Sequence, residues 1–258
     1  MKIHFAGADG NQANINLFNA GIKYRLNSYH YLKKKKNFDY KLLDQYNHAI
    51  VDSGLFTLMF GSDKGSKKKY ETEEDFFQYM VEYCDWINKY DWKNTSFVEC
   101  DVQKKLSSET AWEFRKEMKS RVNNGLIMNV YHLEDENPDK LIEYADYIAI
   151  SLPELRFNLS DKERWNLTKY IATKATLKGK KVHLLGCTEK KYLEYFQFAF
   201  SCDSTSWTSP FRYGEINTRL FKTHVSELED LVETSERVVS MCALLYKLDY
   251  ENQSGNQN

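Results

Sequence analysis

The sequence predicts an α/β fold, a single-domain (β/α)8 TIM barrel, on three observations. Short apolar runs recur down the chain and each ends abruptly in a polar group: Ala49-Ile50-Val51-Asp52-Ser53-Gly54, Phe97-Val98-Glu99-Cys100-Asp101, Val130-Tyr131-His132, Ile148-Ala149-Ile150-Ser151, Val182-His183-Leu184-Leu185-Gly186 and Phe200-Ser201-Cys202-Asp203. Helical patterns with a period near 3.6 lie between them. A chain of 258 residues is long enough for one large α/β domain with a substantial core. Buried strands that deliver polar groups at their C-terminal ends place an active site on one rim of a barrel.

Residues 3–8 read as a first strand and a polar glycine turn, followed by a helical pattern over 14–31 and a lysine run at 33–36. The next strand ends at Asp52. Its long loop, 55–70, carries Gly61, Gly65 and three lysines, and loops of that length in compact barrels are usually lids or binding loops. Thr72 caps a helix whose apolar face is Phe76, Phe77, Met80, Cys84 and Ile87. A strand ends at Asp101, and Ser107 or Ser108 opens a helix bearing Ala111, Phe114, Met118 and Val122.

After the strand at 126–132, Asn137-Pro138 supplies an N-cap and a proline at the first helical position. The strand at 147–152 follows, and then Ser160-x-x-Glu163 forms a capping box before Leu167, Ile171 and Ala175. Gly179 ends that helix, the sheet resumes at 182–186, a short amphipathic helix covers 188–198, and strand and loop fill 200–207. Ser226-x-x-Glu229 caps a last helix with the stripe Leu228, Leu231, Val232, Val239, Cys242 and Tyr246. The barrel domain is thus expected over 1–250, with a polar, disordered tail at 251–258.

This makes seven strands, with the eighth expected between Phe211 and Val225. A doubly wound open sheet is the alternative, because local pattern does not show closure. No dinucleotide or P-loop fingerprint follows any strand, which argues against nucleotide cofactors, and none is expected.

Formal net charge is −1, so the whole molecule does not attract polyanions. The lysines at 33–36, 67–69 and 178, 180 and 181 read first as solvated loops and helix ends, with phosphate tracking by one cluster as the alternative. Aromatic residues make up 15%, which suits base stacking but equally a tyrosine-rich core. Five cysteines without a Cys-x-x-Cys pair argue against a disulfide framework and a local zinc knuckle. No apolar run approaches membrane-spanning length and no signal-peptide core follows Met1, so a soluble, cytoplasmic protein is expected, without membrane partners.

Asp52 and Asp203 are the candidates for the chemistry. A strand-end aspartate is commonly an N-cap or turn former. Two of them, each followed by serine and accompanied by strand-end histidines, favour double displacement at an anomeric carbon. One carboxylate attacks C1′, while the other moves a proton and needs a raised pKa. His183 reads as structural and His132 as a candidate substrate contact. Two histidines with two aspartates on one rim are also compatible with a metal, but no Glu-x-x-His or His-x-His motif occurs, and no metal is expected.

The chain resembles the tRNA-guanine transglycosylase superfamily. Val51-Asp52-Ser53-Gly54-Leu55-Phe56 is similar to that family's Asp-Ser-Gly-Gly-Phe signature, and Tyr147 to Glu154 stands at its Gly-Gly-Leu segment ending in Gly-Glu. His183-Leu184-Leu185-Gly186 matches its His-Leu-Met-Gly strand, and Cys202-Asp203 stands at its nucleophile. Asp203-Ser204-Thr205-Ser206-Trp207 and Pro153-Glu154-Leu155-Arg156 look most like the compact phage-type relatives that place 7-deazaguanines in DNA.

The resemblance implies exchange of guanine in nucleic acid, DNA ahead of tRNA, for a 7-deazaguanine such as preQ0. Asp203 would be the nucleophile and Asp52 the general acid and base. Phe56 would stack on the base, and Asp101, with Glu99 competing, would read its N1 and N2 edge. Ser151 and Leu152 would offer backbone groups, Glu154 would meet the C7 substituent, and His132 would touch the base. Arg212 and Arg156 would meet phosphate. The family's zinc-binding Cys-x-Cys-x-x-Cys is missing, which leaves tRNA binding and dimer formation without their usual support. A partner that opens the duplex, and the host cytoplasm if the protein is phage-encoded, complete the expectation. The alternatives are a tRNA-guanine transglycosylase, a glycosidase or nucleosidase using the same aspartate pair, and a non-catalytic nucleic-acid-binding barrel.

Overall fold

A computed structural model describes residues 1–60, 70–135, 137–187, 189–218, 222–229 and 235–253. Eight parallel strands close into a barrel in chain order: β1 (Lys2–Ala6), β2 (Tyr24–Ser28), β3 (His48–Asp52), β4 (Thr95–Val98), β5 (Leu126–Tyr131), β6 (Tyr147–Ser151), β7 (Lys181–Leu185) and β8 (Ser201–Ser204). Pairing of β1 with β8, from Lys2↔Ser201 to Phe5↔Ser204, completes the ring and removes the open-sheet alternative. The protein is a (β/α)8 barrel.

One strand lies where a helix was expected. The helix after β1 is only Asn11–Asn19, and β2 occupies the second half of the segment read as helical. Its apolar signal is absent because Arg25 and Asn27 are fully buried polar residues. Arg25 donates to the carbonyls of Phe5, Gly7, Ala8 and Leu26 and to Asn14 Oδ1, so its charge is spread over the loop after β1. The segment expected to hold the eighth strand instead forms an antiparallel pair outside the barrel, β9 (Glu215–Asn217) with β10 (Lys222–His224).

The period of two along each strand sorts the core. Ala49, Val51 and Phe97 point outward into the layer under the helix Glu73–Asn88, and Ile148, Ile150, Val182, Leu184 and Cys202 into that under Asp161–Leu177. Ala6, Leu26, Ile50, Val98, Met128, Val130 and Ala149 fill the barrel. Most aromatic residues serve the outer layers; Tyr29 packs on Tyr83 at 4.7 Å between centroids and Tyr40 stacks on Tyr90 at 4.3 Å.

Thr72 and Asp75 form a capping box, as do Ser160 and Glu163. Ser107, rather than Ser108, caps the helix Ser108–Arg121, and Asn137 caps Pro138–Tyr144. Ser226 does not cap the final helix: it lies inside the short helix Val225–Glu229, with its Oγ against His224 Nδ1. The final helix, Ser235–Gln253, packs Cys242, Tyr246 and Tyr250 against Phe5, Leu17, Ile22 and Trp207. Residues 251–253 are therefore helical rather than tail, and the domain boundary moves beyond 250. Residues 254–258, Leu231, Val232 and the loop glycines and lysines at 61–69 lie outside the described residues. No helix among those described is long and apolar enough to cross a membrane.

The lower barrel interior is polar. His4 Nε2 meets His48 Nδ1 at 2.8 Å, and His48 Nε2 meets Ser96 Oγ at 3.0 Å. Burial pushes the His4 pKa well down and that of His48 to about 3. Both rings are thus held neutral in the fold but protonate freely near pH 6.5 when unfolded. The folded state then binds fewer protons, so their contribution is complete above pH 6.5 and drains away as pH falls toward 3. Thermal melts are expected to be level between pH 7 and 8 and to fall steeply below about pH 6. A transition temperature unchanged down to pH 4.5 contradicts this.

Candidate active site

The C-terminal ends of the strands surround an open cavity of about 480 Å³, within the size range of small-ligand sites. Asp9, Asp52, Asp101, Glu154 and Asp203 line it, with Lys104, His132 and Arg212 as its basic members. Phe56 and Phe157 line the cavity at its mouth, 64% and 80% exposed.

Asp52 ends β3 and points inward because it shares the parity of His48 and Ile50. Tyr83 donates to the Val51 carbonyl at 2.8 Å and Tyr79 to that of Ser53 at 2.6 Å, which ties the strand end to the helix Glu73–Asn88. The chain then turns at Gly54, whose φ of +76° and 2.5 Å gap to His30 Cβ from a would-be Cβ exclude a side chain. Burial, with the charges of Asp101 and Asp203, raises the Asp52 pKa to about 7 against the opposing hydrogen bond from Gly54 N.

Asp203, the residue before the end of β8, lies on the same cavity. Its Oδ1 accepts from His183 Nε2 at 3.0 Å and from Gly186 N at 2.8 Å. Both described donors take one oxygen, which leaves Oδ2 for other chemistry. Gly186 can reach because its φ is +61°, and a Cβ there would stand 2.7 Å from Pro153 Cγ.

Opposite these, His132 lies between two carboxylates, with Nε2 3.0 Å from Asp101 Oδ2 and Nδ1 2.7 Å from Glu154 Oε2. Burial works against its charge, but Asp101 and Glu154 win and raise its pKa to about 10. Glu154 is likewise opposed by burial, yet His132 and Lys104 hold it below the usual range. Lys104 Nζ sits 3.0 Å from Glu154 Oε1 and 3.9 Å from Glu134 Oε1. His132, Glu134 and Glu154 bring their donor atoms within 4.8 Å, as a metal site would. The Lys104 ammonium already answers that negative charge, so these residues fit a metal poorly.

A buried ion network stands behind this wall. Arg115 binds Glu99 at 3.0 Å and Asp135 at 2.7 Å; Asp135 Oδ2 accepts from His132 N, and Glu99 Oε1 from Val130 N. Glu99 is paired with Arg115 and is not among the lining residues, whereas Asp101 lines the cavity. Replacing Arg115 with Met strands two buried carboxylates, and we expect a loss of about 3–5 kcal/mol in denaturant unfolding. A loss below about 1 kcal/mol would show that Glu99 and Asp135 find other partners.

Of the residues singled out in the sequence, Asp52, Phe56, Asp101, His132, Ser151, Glu154, Asp203 and Arg212 all line the cavity. Two do not. Leu152, the first residue of the helix Leu152–Asn158, turns into the layer between sheet and helices. Arg156 lies outside the lining, on the exposed side of the helix Leu152–Asn158 with its guanidinium 5.6 Å from the Phe157 ring centroid. Asp9, Tyr31, Lys104 and Phe157 line the cavity without having been anticipated. The one available signal was for Asp9, which follows the strand-and-glycine run Ala6-Gly7-Ala8; it accepts from Asn27 Nδ2 at 2.8 Å and from Ser28 N at 2.7 Å.

Fold and cavity together define the class: an α/β barrel with carboxylates from separate strands facing one cavity on its C-terminal rim. Compared with known proteins, the chain matches no protein-family model and no curated protein.

Proposed function

We propose that the protein is a pentosyltransferase of the guanine transglycosylase type, exchanging guanine in nucleic acid, DNA ahead of tRNA, for a 7-deazaguanine such as preQ0. The observation that carries this reading is the contrast between two aspartates on one cavity. Asp203 has one oxygen held by two N–H donors, while Asp52 is poised near neutrality without a cationic partner in its hydrogen bonds. Separate environments of this kind assign separate roles to two carboxyl groups.

In this reading Asp203 Oδ2 attacks C1′ as the C1′–N9 bond breaks, and the departing guanine takes its proton from Asp52. The incoming 7-deazaguanine then gives its N9 proton to Asp52. Its N9 attacks C1′ and releases the Asp203 carboxylate, so protons and bonds balance with no net hydrolysis. Asp101, one oxygen of which is held by His132, offers the other as an acceptor to the edge of the base, and Phe56 and Phe157 can cover its faces. A base reaches such a cavity only after leaving its stack, from single-stranded or flipped nucleic acid.

The test incubates the protein with labelled guanine or preQ0 and single-stranded DNA, duplex DNA or tRNA. Incorporation into DNA, with a trapped protein–DNA adduct, is the expected result. Incorporation only into tRNA would reassign the substrate. Base release without replacement would identify a nucleosidase, and salt-sensitive binding without turnover a binding barrel.

A further inference from the structure

Beneath the cavity, Tyr147, Ser201 and His183 form a hydrogen-bonded line inside the barrel, all three inaccessible to solvent. Tyr147 OH lies 2.5 Å from Ser201 Oγ, Ser201 Oγ lies 2.6 Å from His183 Nδ1, and His183 Nε2 lies 3.0 Å from Asp203 Oδ1. The geometry exists because Ser201 and Asp203 share the inward face of β8 and His183 is paired in register with Ser201 on β7. One imidazole therefore spans two same-face residues of its neighbour strand.

Donor and acceptor rules give the line a direction. A carboxylate only accepts, so Nε2 carries the proton. In the neutral ring Nδ1 is then an acceptor, so the Ser201 hydroxyl donates to it, and Ser201 Oγ is free to accept from Tyr147. Each donor points toward Asp203. A second line runs beside the first: Ser96, His48 and His4 end with His4 Nδ1 3.3 Å from the carbonyl of Cys202, the residue before Asp203. His4 also packs edge-on against His183, with centroids 5.8 Å apart.

We propose that His183, its tautomer set by Ser201 and Tyr147, is the positioning residue that locks one oxygen of Asp203 and presents the other to the cavity. The locking follows from these contacts alone; its effect on rate rests on the reading of Asp203 as nucleophile. A ring fixed in this way removes rotation about the carboxylate that the attacking group otherwise loses at the transition state.

The test has a spectroscopic arm and a kinetic arm. Long-range proton–nitrogen spectra of the ¹⁵N-histidine-labelled protein at pH 7.5, assigned with His183→Gln, are expected to show His183 protonated at Nε2 and bare at Nδ1. A proton on Nδ1 overturns the proposal. In guanine exchange into single-stranded DNA, His183→Gln is expected to lower kcat about 10- to 100-fold with KM changed less than twofold. Ser201→Ala is expected to lower kcat several-fold, and Ser201→Thr, which keeps the hydroxyl, to restore it. If His183→Gln fails to fold, Ser201→Ala and Tyr147→Phe carry the kinetic arm. Unchanged kcat in folded variants, or a fall confined to KM, also overturns the proposal. If the wild-type protein exchanges no base, the transglycosylase reading fails, and the tautomer alone decides the positioning.

Discussion

Asp203→Ala is expected to abolish base exchange, lowering kcat by about four orders of magnitude or more, because the proposed reaction passes through an ester of this carboxylate. Asp9, Asp52, Asp101 and Glu154 also face the cavity, but each has a different environment. Asp9 is tied to β2 by Asn27 and Ser28, and Asp101 and Glu154 are held by His132. Mass spectrometry of the protein after incubation with DNA checks this directly: the wild type gains a covalent nucleic-acid adduct and the variant does not. Because the buried His183 loses the acceptor of its Nε2–H, at about 1–3 kcal/mol, a thermal melt accompanies the assay to confirm that the variant is folded. An Asp203→Ala protein that still exchanges bases would show the nucleophile to be misassigned.

Asp52→Asn carries the second largest effect. Loss of a general acid costs about 10²–10⁴-fold, and in the proposed exchange the same group also accepts the proton of the incoming base. With its pKa raised to about 7, Asp52 is half protonated near neutrality. The protonated form, needed to release guanine, dominates below that pH and disappears above it. The rate of adduct formation is therefore expected to fall as pH rises through about 7 in the wild type. In Asp52→Asn the rate is low and that limb is gone. Rapid-quench measurements of adduct formation between pH 5.5 and 9 separate the two proteins. The variant should fold with undiminished stability, because a neutral amide removes repulsion from Asp101 and Asp203. A wild-type profile level from pH 6 to 9 would remove Asp52 from the acid role.

How far such roles were legible depended on where the information lay. Asp52, His132, Ser151 and Asp203 each close an apolar strand, and the strand's period of two then decides that they point inward with His48, Val130, Ala149 and Ser201. That pattern is local, so it can be read without coordinates. The rule stops at Ser151, because Leu152 already belongs to the next helix. β2 escaped for the opposite reason: its buried side chains, Arg25 and Asn27, are polar and look exposed until their partners on the β1 loop are known.

Charge was the least legible property. Asp52 acquires its raised pKa because the folded barrel buries it and brings Asp101 and Asp203 to the same opening, and His132 becomes a cation only between Asp101 and Glu154. Lys104, in the loop after β4, could not be told from any solvated lysine until Glu154 arrived opposite it. His183 was read as structural, and its bond to Asp203 appears only when β7 and β8 pair in register.

The linear pattern alone determined the alternation of strands and helices, most helix caps and which strand ends carry polar groups, since these follow from periodicity and hydrogen bonding over a few residues. Closure of the ring, the identity of its second strand and the electrostatics of the cavity belonged to the tertiary structure. Each depends on distances between residues far apart in the chain, and Coulomb and hydrogen-bond energies act through space rather than along sequence.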